Sequence, residues 1–286
     1  MTQDPRNHHY VPKFFIRRWA NADDRVWAYR YPYSDKLEIK HLPPSGIGFG
    51  RDLYALSGGS PTKRQRIELE TTQKIDSEGA LALAALLESA GRPLDEAICW
   101  SWTEFVAALI SRSPSRLEEI SRYSKVRTLT LDDAMRGLYI QRRAPDWPET
   151  LDEAVAQQRD DAFDKDLGKL TAERLFRAPS IKEAIMNMHW RVRRFDAGPR
   201  LLLSDHPVTY GNFRTLDAVV VMPLGPREAF IAARRASFLT DLLATSEERL
   251  IATLNAKVLQ QARACVFALD RTQDDLIRSL YQPPPA

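Results

Sequence analysis

Two adjacent histidines open the first apolar segment of the chain, in the run His8, His9, Tyr10, Val11, Pro12. An uncharged imidazole offers a nitrogen lone pair and titrates near neutral pH, so either ring suits a metal ligand or a general base. Neighbouring side chains point in different directions on a regular backbone, so at most one ring is expected to face a given site. A pair of packing or surface histidines explains the same run, and both interpretations stay open.

Acidic residues recur along a segment with helical periodicity, where Glu70, Lys74 and Glu78 follow one another at four-residue spacing. This spacing places the three side chains on one side of a helix, with Glu68 and Asp76 on adjacent faces. Paired carboxylates one or two turns apart can hold a divalent cation or divide acid and base roles. Ordinary surface ion pairs, worth about 0.3 kcal/mol each, explain the spacing equally well.

A polar turn follows the apolar run 201–203 and consists of Ser204, Asp205 and His206. Pro207 prevents a strand from continuing, so these side chains are expected at its carboxyl end, where loops commonly carry functional groups. Asp205 could ligate a metal or orient His206. Ser204 lacks the flanking glycines and the following helix of a nucleophile elbow. A structural Asx-type turn is the alternative interpretation.

The composition excludes several classes of protein. The 286 residues include 41 basic and 38 acidic side chains, and 44% are hydrophobic, which indicates a folding chain rather than a polybasic or disordered one. Cys99 and Cys265 are too few and too far apart for a disulfide framework or a zinc ribbon. Since neither a Walker loop nor a GxGxxG motif is present, no nucleotide cofactor is expected. We expect a cytoplasmic protein without a membrane partner, because no secretory signal or apolar run of about 18 residues occurs.

Periodicity then indicates the elements that must position these residues. Alternation of apolar residues predicts a β-hairpin, through Trp27, Tyr29, Tyr31, Leu37, Ile39 and His41. A three-to-four-residue period predicts a long helix over 62–89 and a second over 94–111 that Pro114 stops. Further helices follow, and strands return after residue 190. The pattern predicts an α+β fold, in which the N-terminal hairpin and the C-terminal strands form one mixed sheet with a central helical block packed on it.

No long linker divides the chain, so we expect a single domain over residues 1–286. Its parts are an N-terminal hairpin part (1–60), a helical block (61–188), a C-terminal α/β part (189–281) and a proline-rich tail (282–286) that is expected to be disordered. Basic residues gather in four clusters that could form a phosphate-binding face if the fold brings them together. These clusters contain Arg17 and Arg18; Lys63, Arg64 and Arg66; Arg142 and Arg143; and Arg191, Arg193, Arg194 and Arg200.

Over nearly its whole length the chain resembles a bacterial family, the domain of unknown function 4238 (DUF4238). The resemblance rests on the His-His-Tyr-Val-Pro opening with its basic helix, the Glu-bearing helix, an Arg-x-Pro, Trp190, a Ser-Asp-x-Pro-Val turn, a Pro-Leu-x-Pro and an asparagine in the last long helix. In this chain the later motifs are Arg112 to Pro114, Ser204 to Val208, Pro223 to Pro226 and Asn255. The chain departs from the family at His206, where an asparagine is expected, and Asp205 is therefore the stronger candidate.

Because the family markers include His, Glu, Arg and Asp at separate chain positions, the resemblance implies one polar site assembled from several elements. Its expected catalytic residues are His9, Glu70, Glu78, Arg112 and Asp205, and the expected ligands of a Mg²⁺ or Mn²⁺ ion are the three carboxylates of this set. The side chains expected to contact substrate are His8, Tyr10, Arg17, Ser204 and His206.

Two functions are compatible with such a site. Divalent-metal hydrolysis of a phosphodiester would use the carboxylates for the metal, the histidine as base or ligand and the arginine to neutralise the phosphorane, giving a nuclease-like effector on nucleic acid in bacterial defence or a toxin system. The alternative is a non-enzymatic binding or sensor module with a buried polar network. An open pocket lined by the five residues favours catalysis, whereas a sealed cluster favours the module. The oligomeric state does not follow from the sequence.

Overall fold

The structure, a computed structural model, describes residues 6–33, 36–89, 91–129, 133–158 and 161–282, so the predicted disordered tail lies outside it except for Gln282. Short 3₁₀ turns cover Arg17–Trp19 and Pro44–Gly46, and Ile67–Thr72 forms a π-helix. The α-helices of the described chain are α1 (Lys13–Ile16), α2 (Pro61–Arg64), α3 (Gln73–Glu88), α4 (Glu96–Ser111), α5 (Pro114–Leu129), α6 (Asp133–Arg142), α7 (Leu151–Gln158), α8 (Asp161–Phe176), α9 (Pro179–Met186), α10 (Ala236–Ala244), α11 (Glu247–Gln261) and α12 (Asp274–Leu280).

The strands lie at both ends of the chain, as the sequence predicts. They are β1 (Asn7–His9), β2 (Val26–Tyr33), β3 (Lys36–Leu42), β4 (Phe49–Arg51), β5 (His189–Arg194), β6 (Leu203–Ser204), β7 (Thr209–Tyr210), β8 (Val219–Gly225), β9 (Glu228–Ala233) and β10 (Val266–Ala268). One sheet has the order β3-β2-β10-β6, a second has the order β5-β9-β8-β7, and β1 pairs with β4.

The α+β class is confirmed, and the N-terminal hairpin does share a sheet with C-terminal strands. The expectation of one mixed sheet is wrong in two respects. Every strand pair in the described residues is antiparallel, and β5, β7, β8 and β9 form a sheet of their own. Strand polarity and sheet partition depend on distant pairing, which a period-two pattern does not encode.

The β2-β3 hairpin is buried on both faces near its start. Val26 and Ala28 enter the main core, whereas Tyr29 packs in a separate apolar cluster with residues of α11 and α12. The alternation in β2 therefore directs successive side chains to two different cores. Because β10 covers the edge of β2 opposite β3, β2 is an interior strand, and β3 lies at the edge of the sheet.

The centre of the main core is α4. Asp95 caps this helix by accepting a hydrogen bond from the Ala97 amide at 2.8 Å, and the helix ends at Ser111. Nearly every residue from Trp102 onward is buried, which is typical of a helix surrounded by other elements. Among the described residues, no helix is both long enough and apolar enough to cross a membrane.

Pro114 ends one helix and begins the next. The prediction that this proline stops the second helix agrees with the end of α4 at Ser111, but α5 was not expected after it. Proline has no amide hydrogen and a fixed φ near −65°, so it breaks a helix interior yet suits the first helical position. The polar sequence of α5 gave no apolar stripe by which the helix could be recognised.

The predicted long helix over 62–89 is interrupted by the π-helix, which carries two of its acidic residues, Glu68 and Glu70. A π-helix closes i to i+5 hydrogen bonds and so advances fewer degrees per residue than an α-helix. In the structure Glu68 is buried and Asp76 is partly buried, whereas Glu70 is exposed and Glu78 is largely so. The carboxylates that the sequence placed on adjacent faces are therefore the ones that turn toward the protein interior.

The contact between α3 and α4 depends on Gly79. A Cβ atom at this position would lie 2.4 Å from Cδ2 of Phe105 and 2.6 Å from its Cγ, so an added methyl group cannot fit without displacing the ring. We expect Gly79→Ala to lower the free energy of unfolding by about 1–3 kcal/mol, although alanine is the better helix former. Urea denaturation with far-UV circular dichroism measures this change.

The matched control is Gly137→Ala in α6, where an added Cβ meets open space. Relief of the backbone entropy cost alone predicts a gain of about 0.5–1 kcal/mol. If Gly79→Ala also raised the unfolding midpoint, the close approach of α3 and α4 would be contradicted.

Candidate functional site

Arg112 is the residue at which the N-terminal motif meets the helical block. Its side chain is fully buried, its Nε donates to the carbonyl of Tyr10 at 2.8 Å, and its Nη1 lies 2.6 Å from Oδ1 of Asp76. The hydroxyl of Tyr54 donates to the Arg112 carbonyl at 2.8 Å. The guanidinium also stands over the Phe105 ring, 5.7 Å from its centroid. The main chain and side chain of Arg112 thus connect the end of α4 with the segments that contain Tyr10, Tyr54 and Asp76.

The position of Asp76 explains how a guanidinium can be buried here. Removal of a charge from water is costly unless an opposite charge and hydrogen bonds replace the solvent. Burial raises the pKa of Asp76, while the charge of Arg112 and its hydrogen bond act in the opposite direction. Glu68 lies close enough to raise the pKa of Asp76 further, and its own Oε2 accepts a 2.6 Å hydrogen bond from Thr72. Asp76 is therefore the counter-ion of Arg112, a role the sequence assigned to no residue.

The two adjacent histidines contact different parts of the protein, as expected for neighbouring side chains that point in different directions. His8 is fully buried, accepts a hydrogen bond from the Tyr54 amide at Nδ1 over 2.9 Å and stacks on the Tyr54 ring. His9 is buried against Phe49. Burial, with a smaller contribution from the positive charges of Lys13 and Arg112, lowers the pKa of His9 to about 4, so this ring is neutral at neutral pH.

Asp205 acts as an acceptor for main-chain amides. Its Oδ1 accepts from the amide of Arg263 at 3.0 Å and from that of Cys265 at 3.3 Å, which fixes the loop between α11 and β10 to the turn after β6. The side chain is 1% exposed, and burial raises its pKa. Tyr10 is near enough for the Asp205 charge to raise the tyrosine pKa, so the two chain ends do meet.

His206 joins this turn to the start of α5. Its Nε2 lies 3.0 Å from Oγ of Ser113 and 2.8 Å from Oγ of Ser115, and 3.5 Å from Oδ2 of Asp205. In a Ser-His-Asp triad the carboxylate and the serine engage opposite ring nitrogens. Here both approach Nε2, so the arrangement is not a triad. Burial lowers the pKa of His206.

The predicted five-residue constellation is therefore only partly assembled. Arg112 and Asp205 are brought into one region by Tyr10 and the Ser113-His206 contact, and His9 is close enough to feel the Arg112 charge. Glu70 and Glu78 do not join them. Glu70 is exposed on the π-helix, and Glu78 faces solvent, where its Oε1 lies 3.8 Å from Nζ of Lys74 in the surface ion pair that was the alternative interpretation.

The expected carboxylate ligands do not fit a shared metal ion. Glu70 and Glu78 lie at the surface, and Oδ1 of Asp205 is occupied by two amides. No group of three or more His, Cys, Asp or Glu side chains that could hold a metal is found within the described residues. No chemical step can thus be assigned to Mg²⁺ or Mn²⁺ at this constellation.

Three motif residues nevertheless keep unused hydrogen-bonding capacity. Nε2 of His9, Nη2 of Arg112 and Oδ2 of Asp205 are buried and have no hydrogen-bond partner in the part of the chain that the structure describes. Most buried polar atoms in folded proteins are hydrogen-bonded, so three such atoms on the motif residues are unusual.

The residues expected to contact substrate lie in different environments. His8, Tyr10 and Ser204 are buried, and Ser204 exchanges hydrogen bonds with the main chain of His206 in a local turn. Arg17 is exposed and paired with Asp24. His206 alone of these five lines an open cleft.

The cleft beside His206 contains residues that the sequence did not single out. It has a volume of about 160 Å³, and its polar walls are Ser115, Arg116, Glu119, His206, Tyr210, Gln261 and Arg263. Arg116 lies two residues after Pro114, and Arg263 lies two residues after the end of α11, so neither an alternation nor a helical period gives them a functional signal. Arg116 and Arg263 are brought together by the start of α5, which the sequence did not predict, and by the hydrogen bond from the Arg263 amide to Asp205.

The basic clusters do not remain free as a phosphate-binding face. Arg17 pairs with Asp24, Arg18 with Glu228, Arg66 with Glu173 and Arg193 with Glu247. The Arg66 pair is bidentate, at 2.8 and 2.7 Å. At least one arginine in each of three predicted clusters thus has an acidic partner, which reduces the positive potential that nucleic acid would meet.

Comparison with known proteins agrees with the resemblance noted from the motifs. Neither a curated protein nor a solved structure matches the chain. The family model described as "Protein of unknown function (DUF4238)" matches residues 7–272, which include all the residues of the candidate site. Because this match covers nearly the entire sequence, the chain belongs to the DUF4238 family.

Proposed function

We propose that this chain is a non-enzymatic binding module, in which a buried polar network fixes the shape of an open cleft at its side. The observation that carries this proposal is the complete burial of Arg112, whose Nε binds the Tyr10 carbonyl and whose Nη1 pairs with Asp76. A group that no substrate can reach is suited to holding segments together.

Each link of the network joins parts of the chain that are distant in sequence. The amide of Tyr54 binds His8, the hydroxyl of Tyr54 binds the Arg112 carbonyl, and Ser113 follows directly with its contact to His206. The network therefore ends at a residue that lines the cleft. On this view the motif residues are positioning residues, and ligand recognition occurs at the side chains of the cleft.

A metal-dependent, nuclease-like effector on nucleic acid is the second candidate. The observation in its favour is the unused capacity of His9, Arg112 and Asp205, since functional sites often leave buried polar atoms unsatisfied. This candidate requires the buried cluster to open and a metal to find ligands beyond Glu70 and Glu78.

An assay for cleavage separates the two candidates. Labelled single-stranded RNA and DNA are incubated with the purified chain and either Mg²⁺ or Mn²⁺, and we expect no product above the protein-free reaction. The variant to compare is Asp205→Asn, which keeps the Oδ1 acceptor, with Asp241→Asn on the exposed face of α10 as its matched control. Metal-stimulated cleavage that Asp205→Asn abolishes and Asp241→Asn retains would overturn the binding module in favour of the nuclease.

A further inference from the structure

Three of the elements that line the cleft carry groups with positive charge or positive potential. The start of α5 supplies Ser115 and Arg116, the turn after β6 supplies His206, and the end of α11 supplies Arg263. The amino end of a sixteen-residue helix carries a partial positive charge and unpaired amide groups. These three elements thus present hydrogen-bond donors or positive potential, and the rest of the lining includes the Glu119 carboxylate and the apolar side chains of Leu109, Ile110 and Val208.

The arginines differ in how much of their charge is already neutralised. Nη1 of Arg116 lies 2.6 Å from Oε2 of Glu119, and its Nη2 donates to the Tyr210 hydroxyl at 3.3 Å. Arg263 donates only to the carbonyls of Gln260 and Ala262, and no carboxylate pairs with it among the described residues. One uncompensated guanidinium therefore remains on the cleft wall.

The pKa of His206 agrees with a position beside both arginines, which line the same cleft. Burial is the largest cause of its lowered pKa, and the charges of Arg116 and Arg263 lower it further, against the opposing effect of Asp205 and Glu119. Both guanidinium groups are thus close to the imidazole ring, and an anion among them would relieve their mutual repulsion.

The size and polarity of the cleft restrict its occupant. Its volume of about 160 Å³ is below the roughly 300–1,000 Å³ of sites that take drug-sized ligands. Arginine presents a planar set of donors that matches the oxygens of a phosphate, and serine hydroxyls and helix amino ends are common further donors to it.

From this arrangement we infer that the cleft binds a phosphate group, either as the free ion or as the terminal group of a small phosphorylated molecule. This inference rests on the proposed binding function and names its ligand class. The phosphate oxygens contact Arg263, Arg116 and the hydroxyl of Ser115, while any organic part of the ligand extends into solvent from the cleft mouth.

Isothermal titration calorimetry at constant ionic strength tests the inference with three probes: inorganic phosphate, adenosine monophosphate and adenosine. We expect the two phosphate probes to bind and adenosine not to bind. Tighter binding of the nucleotide than of the free ion would identify a phosphorylated small molecule as the source, and equal binding would identify the free ion. Arg263→Gln is expected to weaken phosphate binding at least tenfold, because a charge-assisted hydrogen bond is lost, and Arg263→Lys to retain part of it.

The matched control is Arg249→Gln, an exposed arginine without an ion pair in the described residues, which lies three turns up α11 from the cleft. It should leave phosphate affinity within twofold of the parent chain. Equal binding of adenosine and its monophosphate, no phosphate binding at all, or equal losses in both glutamine variants would each overturn the inference. None of these results produces nucleic-acid cleavage, so failure here is distinguishable from failure of the binding-module proposal.

Discussion

Replacing Arg112 with alanine is expected to lower the free energy of unfolding by about 3–5 kcal/mol, the loss typical when one partner of a buried ion pair is removed. The substitution strands the carboxylate of Asp76 and the carbonyl of Tyr10, and it leaves a cavity beside Phe105. Urea denaturation monitored by circular dichroism and by tryptophan fluorescence measures the change. The effect is large because the guanidinium is completely excluded from water.

The control for this prediction lies on the same helix as Asp76. Lys74 and Glu78 form an exposed pair in α3, so Lys74→Ala should change stability by less than about 0.5 kcal/mol. If the stranded charge causes the loss, adding Asp76→Asn to Arg112→Ala should recover part of it. An unfolding midpoint for Arg112→Ala equal to that of Lys74→Ala would refute the structural role of the network.

The second large effect is expected at Asp205, where alanine and asparagine should behave differently. Alanine leaves the buried amides of Arg263 and Cys265 without their acceptor, at a cost of about 1–3 kcal/mol for each group. We therefore expect Asp205→Ala to destabilise by about 2–4 kcal/mol in a urea titration. Asparagine keeps a side-chain oxygen at Oδ1 and should lose less than about 1 kcal/mol.

Asp241→Ala on α10 is the matched control for Asp205→Ala, since that carboxylate is exposed and its side chain makes no ion pair in the described residues. It should be neutral within about 0.5 kcal/mol, as for most surface substitutions. Equal destabilisation by the alanine and asparagine variants at Asp205 would show that the charge matters rather than the acceptor, and would return Asp205 to the list of catalytic candidates.

Much of the fold could be predicted because its signals are local. The alternation through Trp27, Tyr29 and Tyr31 correctly predicted the hairpin, and the apolar run of α4 correctly predicted the central helix. The start of α5 was not predicted, because its sequence is polar and begins with a proline, which was interpreted only as the end of the preceding helix. Division of the strands between two sheets was missed because pairing is decided by distant segments. The single-domain organisation stays a prediction.

Only the parts of the candidate site that consist of motif residues could be predicted from the sequence. The segments of Arg112 and Asp205 do meet, through the contact between Ser113 and His206, and the two histidines do face different surroundings. The choice of Glu70 and Glu78 came from their spacing and the family resemblance, whereas Glu68 and Asp76 are the carboxylates that turn inward. Which face of a helix is buried depends on the elements packed against it, and the spacing of acidic residues does not encode this. Arg263 had no sequence signal, because its place on the cleft depends on the hydrogen bond that its main-chain amide donates to Asp205, a residue 58 positions away.

The pairing of β2 with β10 has a consequence for synthesis of the chain. One edge of β2 gains its partner only when residues 266–268, far later in the chain, have left the ribosome. Until then the nascent hairpin exposes unpaired backbone groups beside Tyr29, a surface on which other strands can add. Pairing with β10 closes this edge and removes the surface from competition with other chains.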